Sequence, residues 1–409
     1  LRLFLSAPAK HHINSDIRIT GSKSESNRLL LLSALFPNIR IENLSNSDDT
    51  RLMKKGLATS KGMVDIHHAG TAMRFLTAYF ASRQGMEVVL TGSARMKDRP
   101  IEILVEALTE LGAHIEYLEK QGYPPLKISG RKFTKSETSL PANISSQYIS
   151  ALLLIAPSLE KGLRLNLKGE ITSVPYIEMT CALLNTLGIS TTFHKNVITV
   201  ERADQPEKQL LTVESDWSSA SYFYSIVALA APGSSIRLSS YKKNSLQGDS
   251  VLSKIYQVFG VSTDFEDHSI VLRKESSPVH GLFSYNLANA PDLAQTLAVS
   301  CFGLGLGCDL TGLHTLKIKE TDRLEALKKE LTKLGASIET TDERLILSPG
   351  GVPKPDVVID TYHDHRMAMA FAPLAMRTGI YIEDAGVVSK SYPDFWEDIK
   401  SLGIELKQG

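Results

Sequence analysis

The side chains best suited to chemistry are cations and hydroxyls gathered just ahead of apolar runs. Gly21-Ser22-Lys23-Ser24-Glu25-Ser26-Asn27-Arg28 brings a lysine, several hydroxyls and an arginine to the entry of a leucine-rich segment. The first N–H groups of a helix lack partners within it and the helix dipole makes that end positive, so such an entry suits an anion. The same residues also make an ordinary N-cap with solvated charges. Ala69-Gly70-Thr71-Ala72-Met73-Arg74 opens a second segment in the same way. Ser93-Ala94-Arg95-Met96-Lys97-Asp98-Arg99-Pro100 adds three cations within five residues. That is enough to neutralise a phosphate or carboxylate, with arginine able to bind bidentately, or simply to form a solvated basic loop. Ser145-Ser146-Gln147 supplies neutral donors at a third entry, where a plain cap is the competing reading.

Lys317-Ile318-Lys319-Glu320-Thr321-Asp322-Arg323 is the most specific string. Its spacing puts Lys319 and Arg323 one helical turn apart with Glu320 between them. Close cations keep a carboxylate ionised and burial raises its pKa, so Glu320 can be tuned as a proton carrier. A helix laced with surface ion pairs has the same spacing. Asp364-His365-Arg366 reads either as a helix cap with an incidental histidine or as an anion site beside a titratable ring.

The elements that must position these residues repeat. Polar knots near Ser24, Thr71, Ser145, Ser218, Asp292 and Asp364 are each followed by an apolar segment, at spacings of 47, 74, 73, 74 and 72 residues. Leu29 to Leu35, Ala151 to Ala156 and Ile226 to Ala231 are apolar on every side, the mark of helices buried all round, which places them in an inner layer. A second, amphipathic helix follows. Ile101, Leu104, Val105, Leu108 and Leu111 keep its stripe, as do Leu324, Leu327, Leu331 and Leu334. Gly112, Gly188, Gly260, Gly335 and Gly403 stand where a left-handed residue ends such a helix, and four of them precede a short strand pair.

A further strand, such as Val88 to Leu90, Leu163 to Leu167 or Ile380 to Ile382, lies between the two helices. One such α/β unit cannot cover its own apolar face, so neighbours must close on one another with helices inside sheets. The first unit is short by about a hairpin, and only Ala58 to His67 is left there for strands.

With 409 residues, 43% hydrophobic and 22% charged, the chain can bury a sizeable core in two or three domains. Its 45 basic and 45 acidic residues cancel, so overall charge steers it towards neither nucleic acid nor an anionic membrane. Any bound anion must be met locally. The segment Leu1 to Gly21 lacks the features of a secretory signal, and no apolar run approaches the ~18 residues of a membrane helix. Cys181, Cys301 and Cys308 show no metal-ligand spacing, and a reducing cytoplasm is the expected location.

Taken in order, these strings resemble the 5-enolpyruvylshikimate-3-phosphate synthase family over essentially the whole chain. The likeness extends to Ser47-Asp48-Asp49, Tyr148, Tyr176, Ser219-Ala220-Ser221-Tyr222-Phe223, Pro291-Asp292 and Ser389-Lys390-Ser391-Tyr392-Pro393-Asp394. It implies an α/β fold of two similar domains, each of three repeated α/β units with helices buried inside sheets, an inside-out α/β barrel, with the active site in the interdomain cleft. One domain would join residues 1–18 to 217–409, and 19–216 would form the inserted one.

The resemblance also implies transfer of the enolpyruvyl group of phosphoenolpyruvate to the 5-hydroxyl of shikimate 3-phosphate, in aromatic amino acid biosynthesis, by a monomer needing no metal or organic cofactor. It assigns Lys23, Ser24, Arg28, Ser145, Ser146, Gln147, Ser173, Tyr176, Asp292, Thr315 and Lys319 to shikimate 3-phosphate. Lys23, Gly70, Arg95, Gln147, Arg323, Arg366 and Lys390 go to phosphoenolpyruvate. Asp292 would be the base, Glu320 the proton carrier and Lys23 the charge stabiliser on the leaving side.

Three positions depart from the family pattern: His68 and Phe75, where asparagine and proline are usual, and Thr315, where asparagine commonly contacts the substrate. Two other readings compete. One is the related transferase acting on a uridine-diphosphate sugar, which usually carries a cysteine in the loop corresponding to Ser93 to Pro100, where this chain has none. The other is a catalytically silent, anion-binding homologue.

Overall fold

The computed structural model describes residues 1–9, 12–143, 145–171, 174–206, 210–278 and 281–409. The chain forms two compact units, Gly21–Val213 and a discontinuous one made of Leu1–Thr20 with Glu214–Gly409. Among the described residues no helix is long and apolar enough to cross a membrane.

Gly21–Val213 holds helices α1 (Lys23–Leu35), α2 (Asp48–Leu57), α3 (Gly70–Ser82), α4 (Ala94–Lys97), α5 (Glu102–Leu111), α6 (Ser146–Ile155) and α7 (Val174–Thr186). Helices α1, α3 and α6 are the apolar segments expected inside, and they are buried along nearly their whole length. A helix with no polar face is stable only where neighbours cover every side. Here α1, α3 and α6 pack on one another, and the amphipathic α2 and α5, with α7, lie against them. Two four-stranded sheets and a two-stranded one belong to this unit. One four-stranded sheet runs 61–65, 87–91, 126–129, 114–117 in spatial order, and the other 137–141, 163–168, 197–200, 191–194.

The second unit repeats the plan with α8 (Trp217–Leu229), α9 (Leu252–Ile255), α10 (Ala294–Gly303), α11 (Arg323–Lys333), α12 (His365–Phe371) and α13 (Phe395–Ser401). Helices α8, α10 and α12 are the inner ones. The five glycines expected to close outer helices all have positive φ, from 75° at Gly260 to 118° at Gly112. A side chain is disfavoured there because its Cβ crowds the carbonyl oxygen.

The first unit of the repeat differs from its expectation. The strand within Ala58 to His67, Lys61–Asp65, pairs in parallel with Glu87–Thr91 and so belongs to the next sheet. The first unit's own sheet has two strands, Arg40–Glu42 paired in parallel with Leu210–Thr212. The distant segment 210–212 thus takes the place a preceding strand fills in other units, and no hairpin follows α2. Asn14–Ile17 does the same for the fourth unit, pairing with Ser235–Leu238. The strand after Gly403, Glu405–Gln408, finds its antiparallel partner in Leu3–Ser6 at the other end of the chain.

Candidate active site

In Gly21–Val213 the N-termini of α1, α3 and α6 meet. Arg28, in the second turn of α1, donates from Nε to Thr180 Oγ1 at 2.8 Å and from Nη2 to Ser150 Oγ at 3.0 Å. Further bonds reach the carbonyls of Ser24 and Tyr176. Its guanidinium lies 5.5 Å from the centre of the Phe75 ring on α3. Burial lowers Arg28 to about 10, which leaves it charged at neutral pH. Arg28 therefore ties three elements together from inside, and four of its five N–H groups point to protein acceptors.

Several groups expected to bind ligand lie at helix starts in this unit. Lys23 opens α1, with Nζ 3.5 Å from Asp49, and Ser24 follows it. Ser145 caps α6 by accepting from the Gln147 N–H, Ser146 begins the helix, and Gln147 Nε2 donates to Thr71 Oγ1 at 3.1 Å. Helix α3 has no side-chain cap, which leaves its first N–H groups to other acceptors. Its first residue is Gly70, and a Cβ there would sit 2.5 Å from Arg99 Nη1. The missing side chain lets a guanidinium lie against the helix start. Arg95 is exposed on α4, and Tyr176 lies on α7, where its carbonyl accepts from Arg28. Ser173 falls outside the described residues.

In the other unit the entries of α8, α10 and α12 meet likewise. Arg366 Nη2 donates to Asp292 Oδ2 at 3.1 Å and to Ser218 Oγ at 3.3 Å. Arg323 is almost fully buried and holds three carboxylates: Asp364 at 2.7 Å, Asp292 at 2.8 Å and Glu320 at 2.8 Å. Lys319 Nζ stands 3.7 Å from Asp292. Lys390 Nζ donates to the His363 carbonyl at 2.6 Å. Asp364 caps α12 by accepting from the Arg366 N–H.

The helical-turn spacing expected for Lys319 and Arg323 does not hold. Helix α11 begins only at Arg323, capped by Asp322, whose side chain accepts from Glu325 N–H at 3.1 Å. Lys319 and Glu320 lie in the bend before it, and both reach the cluster from there. Thr315 sits in a short 3-10 turn, His314–Ile318, with its Oγ1 buried and unbonded.

Burial alone would raise the Asp292 carboxyl, but Arg366, then Lys319 and Arg323, outweigh it and hold it far below the usual carboxylate range. Arg323 is held protonated more firmly than in water, because Asp364, Glu320 and Asp292 outweigh its burial. Asp249 behaves oppositely. Burial, helped by the Asp292 charge, lifts it to about 7, against the pull of Arg366 and a hydrogen bond from Ser218. Asp249, Ser218, Asp364 and Arg99 were not singled out from sequence as site residues. Asp364 and Arg99 stood in recognised strings, whereas Asp249, in Gln247-Gly248-Asp249, gives no local signal.

The family model described as EPSP synthase (3-phosphoshikimate 1-carboxyvinyltransferase) matches residues 55–399. The chain belongs to the EPSP synthase family. A 3-phosphoshikimate 1-carboxyvinyltransferase of Bacteroides fragilis is 46% identical, covering 100% of both chains. One from Vibrio atlanticus is 35% identical over 96% of this chain and 97% of its own. Among solved structures, the EPSP synthase of Acinetobacter baumannii superposes with a TM-score of 0.79 over 100% of both chains at 22% identity, a likeness of fold. The fold of this family, two similar domains of three α/β units with helices inside sheets, is the one described above.

Proposed function

We propose that the chain transfers the enolpyruvyl group of phosphoenolpyruvate to the 5-hydroxyl of shikimate 3-phosphate and releases inorganic phosphate, in aromatic amino acid biosynthesis. What carries this reading is the 46% identity, along the full length of both chains, to a 3-phosphoshikimate 1-carboxyvinyltransferase. The geometry supports it, because each unit gathers cations where three buried helices begin. Two polyanionic substrates must be held together, and unit charges ~4 Å apart repel by about 4 kcal/mol at an effective dielectric of 20. The cations gathered in each unit suit such charges.

In this reaction the 5-hydroxyl oxygen of shikimate 3-phosphate attacks C2 of phosphoenolpyruvate while C3 takes up a proton. The resulting tetrahedral adduct then loses a C3 proton and the bond to phosphate, leaving the enol ether. Asp292 accepts the hydroxyl proton and Glu320 carries the C3 proton. In the cluster as it stands Asp292 is ionised but weakly basic, since three cations surround it. A substrate phosphate or carboxylate engaging Arg366 or Lys319 draws those charges away and restores its basicity. Lys23 stabilises charge on the leaving phosphate. Ser24, Ser145, Ser146, Gln147, Ser173, Tyr176, Thr315 and Lys319 serve shikimate 3-phosphate, with Arg28 acting mainly by holding α1, α6 and α7. Gly70, Arg95, Arg323, Arg366 and Lys390 serve phosphoenolpyruvate.

The chain acts as a monomer in the cytoplasm, a location in keeping with three buried, unpaired cysteines. The deciding experiment measures phosphate release from phosphoenolpyruvate with shikimate 3-phosphate or a uridine-diphosphate amino sugar as acceptor. Release with shikimate 3-phosphate alone is expected. Release only with the nucleotide sugar would change the substrate, and none with either would leave an anion-binding protein.

A further inference from the structure

Helix α11 carries a second polar residue on the face that bears Arg323. Glu330 lies seven residues on, two turns along, and is fully buried. A buried carboxylate must be hydrogen-bonded to be tolerated. Its Oε1 accepts from the Tyr362 hydroxyl at 2.6 Å. Its Oε2 accepts from the Asp360 N–H at 3.1 Å and from Lys333 Nζ at 2.6 Å. Two of these three bonds reach one short segment, the link between strand Val357–Ile359 and α12.

That segment is strained. Tyr362 and His363 are consecutive and both left-handed, with φ of 52° and 55°. Residues with a Cβ persist in that region only where their surroundings over-determine it. The strain has a product. It points the His363 carbonyl at Lys390 Nζ, 2.6 Å away, and brings Asp364 to Arg323 and to the start of the helix that carries Arg366. One face of α11 thus holds both ends of the segment, Asp364 through Arg323 and Asp360 with Tyr362 through Glu330.

We propose that Glu330 is a positioning residue for the phosphoenolpyruvate-binding cations: by holding Tyr362 and His363 left-handed it sets where Lys390 and Arg366 stand. This rests on the enolpyruvyl-transfer reading for its kinetic consequence, though not for its geometry. Glu330 touches no substrate. It acts through the backbone of 360–364.

Two variants test it. Glu330→Gln keeps the shape but cannot accept all three bonds, and Tyr362→Phe removes only the hydroxyl bond. The expected result is a KM for phosphoenolpyruvate raised about tenfold in the first and about threefold in the second, with the KM for shikimate 3-phosphate within about twofold of the parent. A purely structural role would lower the unfolding midpoint and leave the two KM values unchanged or move them together, and that outcome overturns the proposal. A crystal structure of Glu330→Gln gives a readout that needs no turnover. Tyr362 and His363 returning to negative φ with the Lys390–His363 bond broken supports the inference, and an unchanged segment overturns it. If the parent protein releases no phosphate with shikimate 3-phosphate, the functional reading falls and this structure alone decides. Tyr362→Phe keeps the kinetic test available should Glu330→Gln fail to fold.

Discussion

Arg323 Nε donates to Asp364 Oδ2 at 2.7 Å, so the first residue of α11 grips the residue that caps α12. The remaining nitrogens of the same guanidinium hold Asp292 and Glu320, each at 2.8 Å. A planar fork reaches three carboxylates in this way, whereas an ammonium acts as a point charge. Removing one partner of a buried ion pair costs about 3–5 kcal/mol because the other charge is left uncompensated. Arg323→Met is therefore expected to lower the free energy of unfolding by that order and to abolish measurable turnover. Arg323→Lys should keep more of the stability than of the activity. Unfolding curves and phosphate-release kinetics on the two variants check both points.

Asp292→Asn and Glu320→Gln remove the proposed base and proton carrier with little change in shape. With both substrates saturating, each should lower kcat by about 10²–10⁴, the usual contribution of general acid–base catalysis. Near-normal turnover in either variant would take that residue out of its role.

Asp249 gives a pH-dependent stability. Its carboxyl is raised from 3.8 to about 7 in the folded chain, so folding favours the protonated form. The stability this contributes is complete below pH 3.8 and is lost as pH rises through about 7. Asp249→Asn cannot ionise. Its melting temperature relative to the parent should climb between pH 4 and 7 and then level off. A difference independent of pH would show that Asp249 titrates normally.

Gly70→Ala would put a methyl 2.5 Å from Arg99 Nη1. Because Arg99 is a flexible side chain, it should move rather than unfold the helix. The expectation is a higher KM for phosphoenolpyruvate, by about tenfold, with the melting temperature almost unchanged. Kinetics on the variant decide it, and an unaltered KM would place Arg99 outside the site.

Gly21→Ala faces backbone instead. A Cβ there would lie 1.8 Å from the Asn43 carbonyl oxygen, which cannot swing away as a side chain can. Destabilisation of more than about 3 kcal/mol is expected by denaturant unfolding, in the range of severe core substitutions.

Much of the framework is legible in the residues themselves. Helix α6 has the sequence Ser-Gln-Tyr-Ile-Ser-Ala-Leu-Leu-Leu-Ile, and a run that apolar must be covered on every side. Each of the five glycines at outer-helix ends stands where a Cβ would be strained, so those stops are local too. Lys23, Ser145 and Arg366 could be found as chemistry because helix entries have open N–H groups wherever they occur.

What the sequence alone determined, then, is the repeat, the burial of its inner helices and the cationic entries, all set by interactions within a few residues. Tertiary structure decided which strands join which sheet. Segments as short as Leu210–Thr212 and Arg40–Glu42 carry too little pattern to name partners some 170 residues apart. It also decided the ionisation of the site. Asp249 and Asp292 are the same residue type, yet one is pushed up by burial and the other pulled down by three cations. Charge state depends on what stands within a few ångströms in space, and only the folded chain brings those groups together.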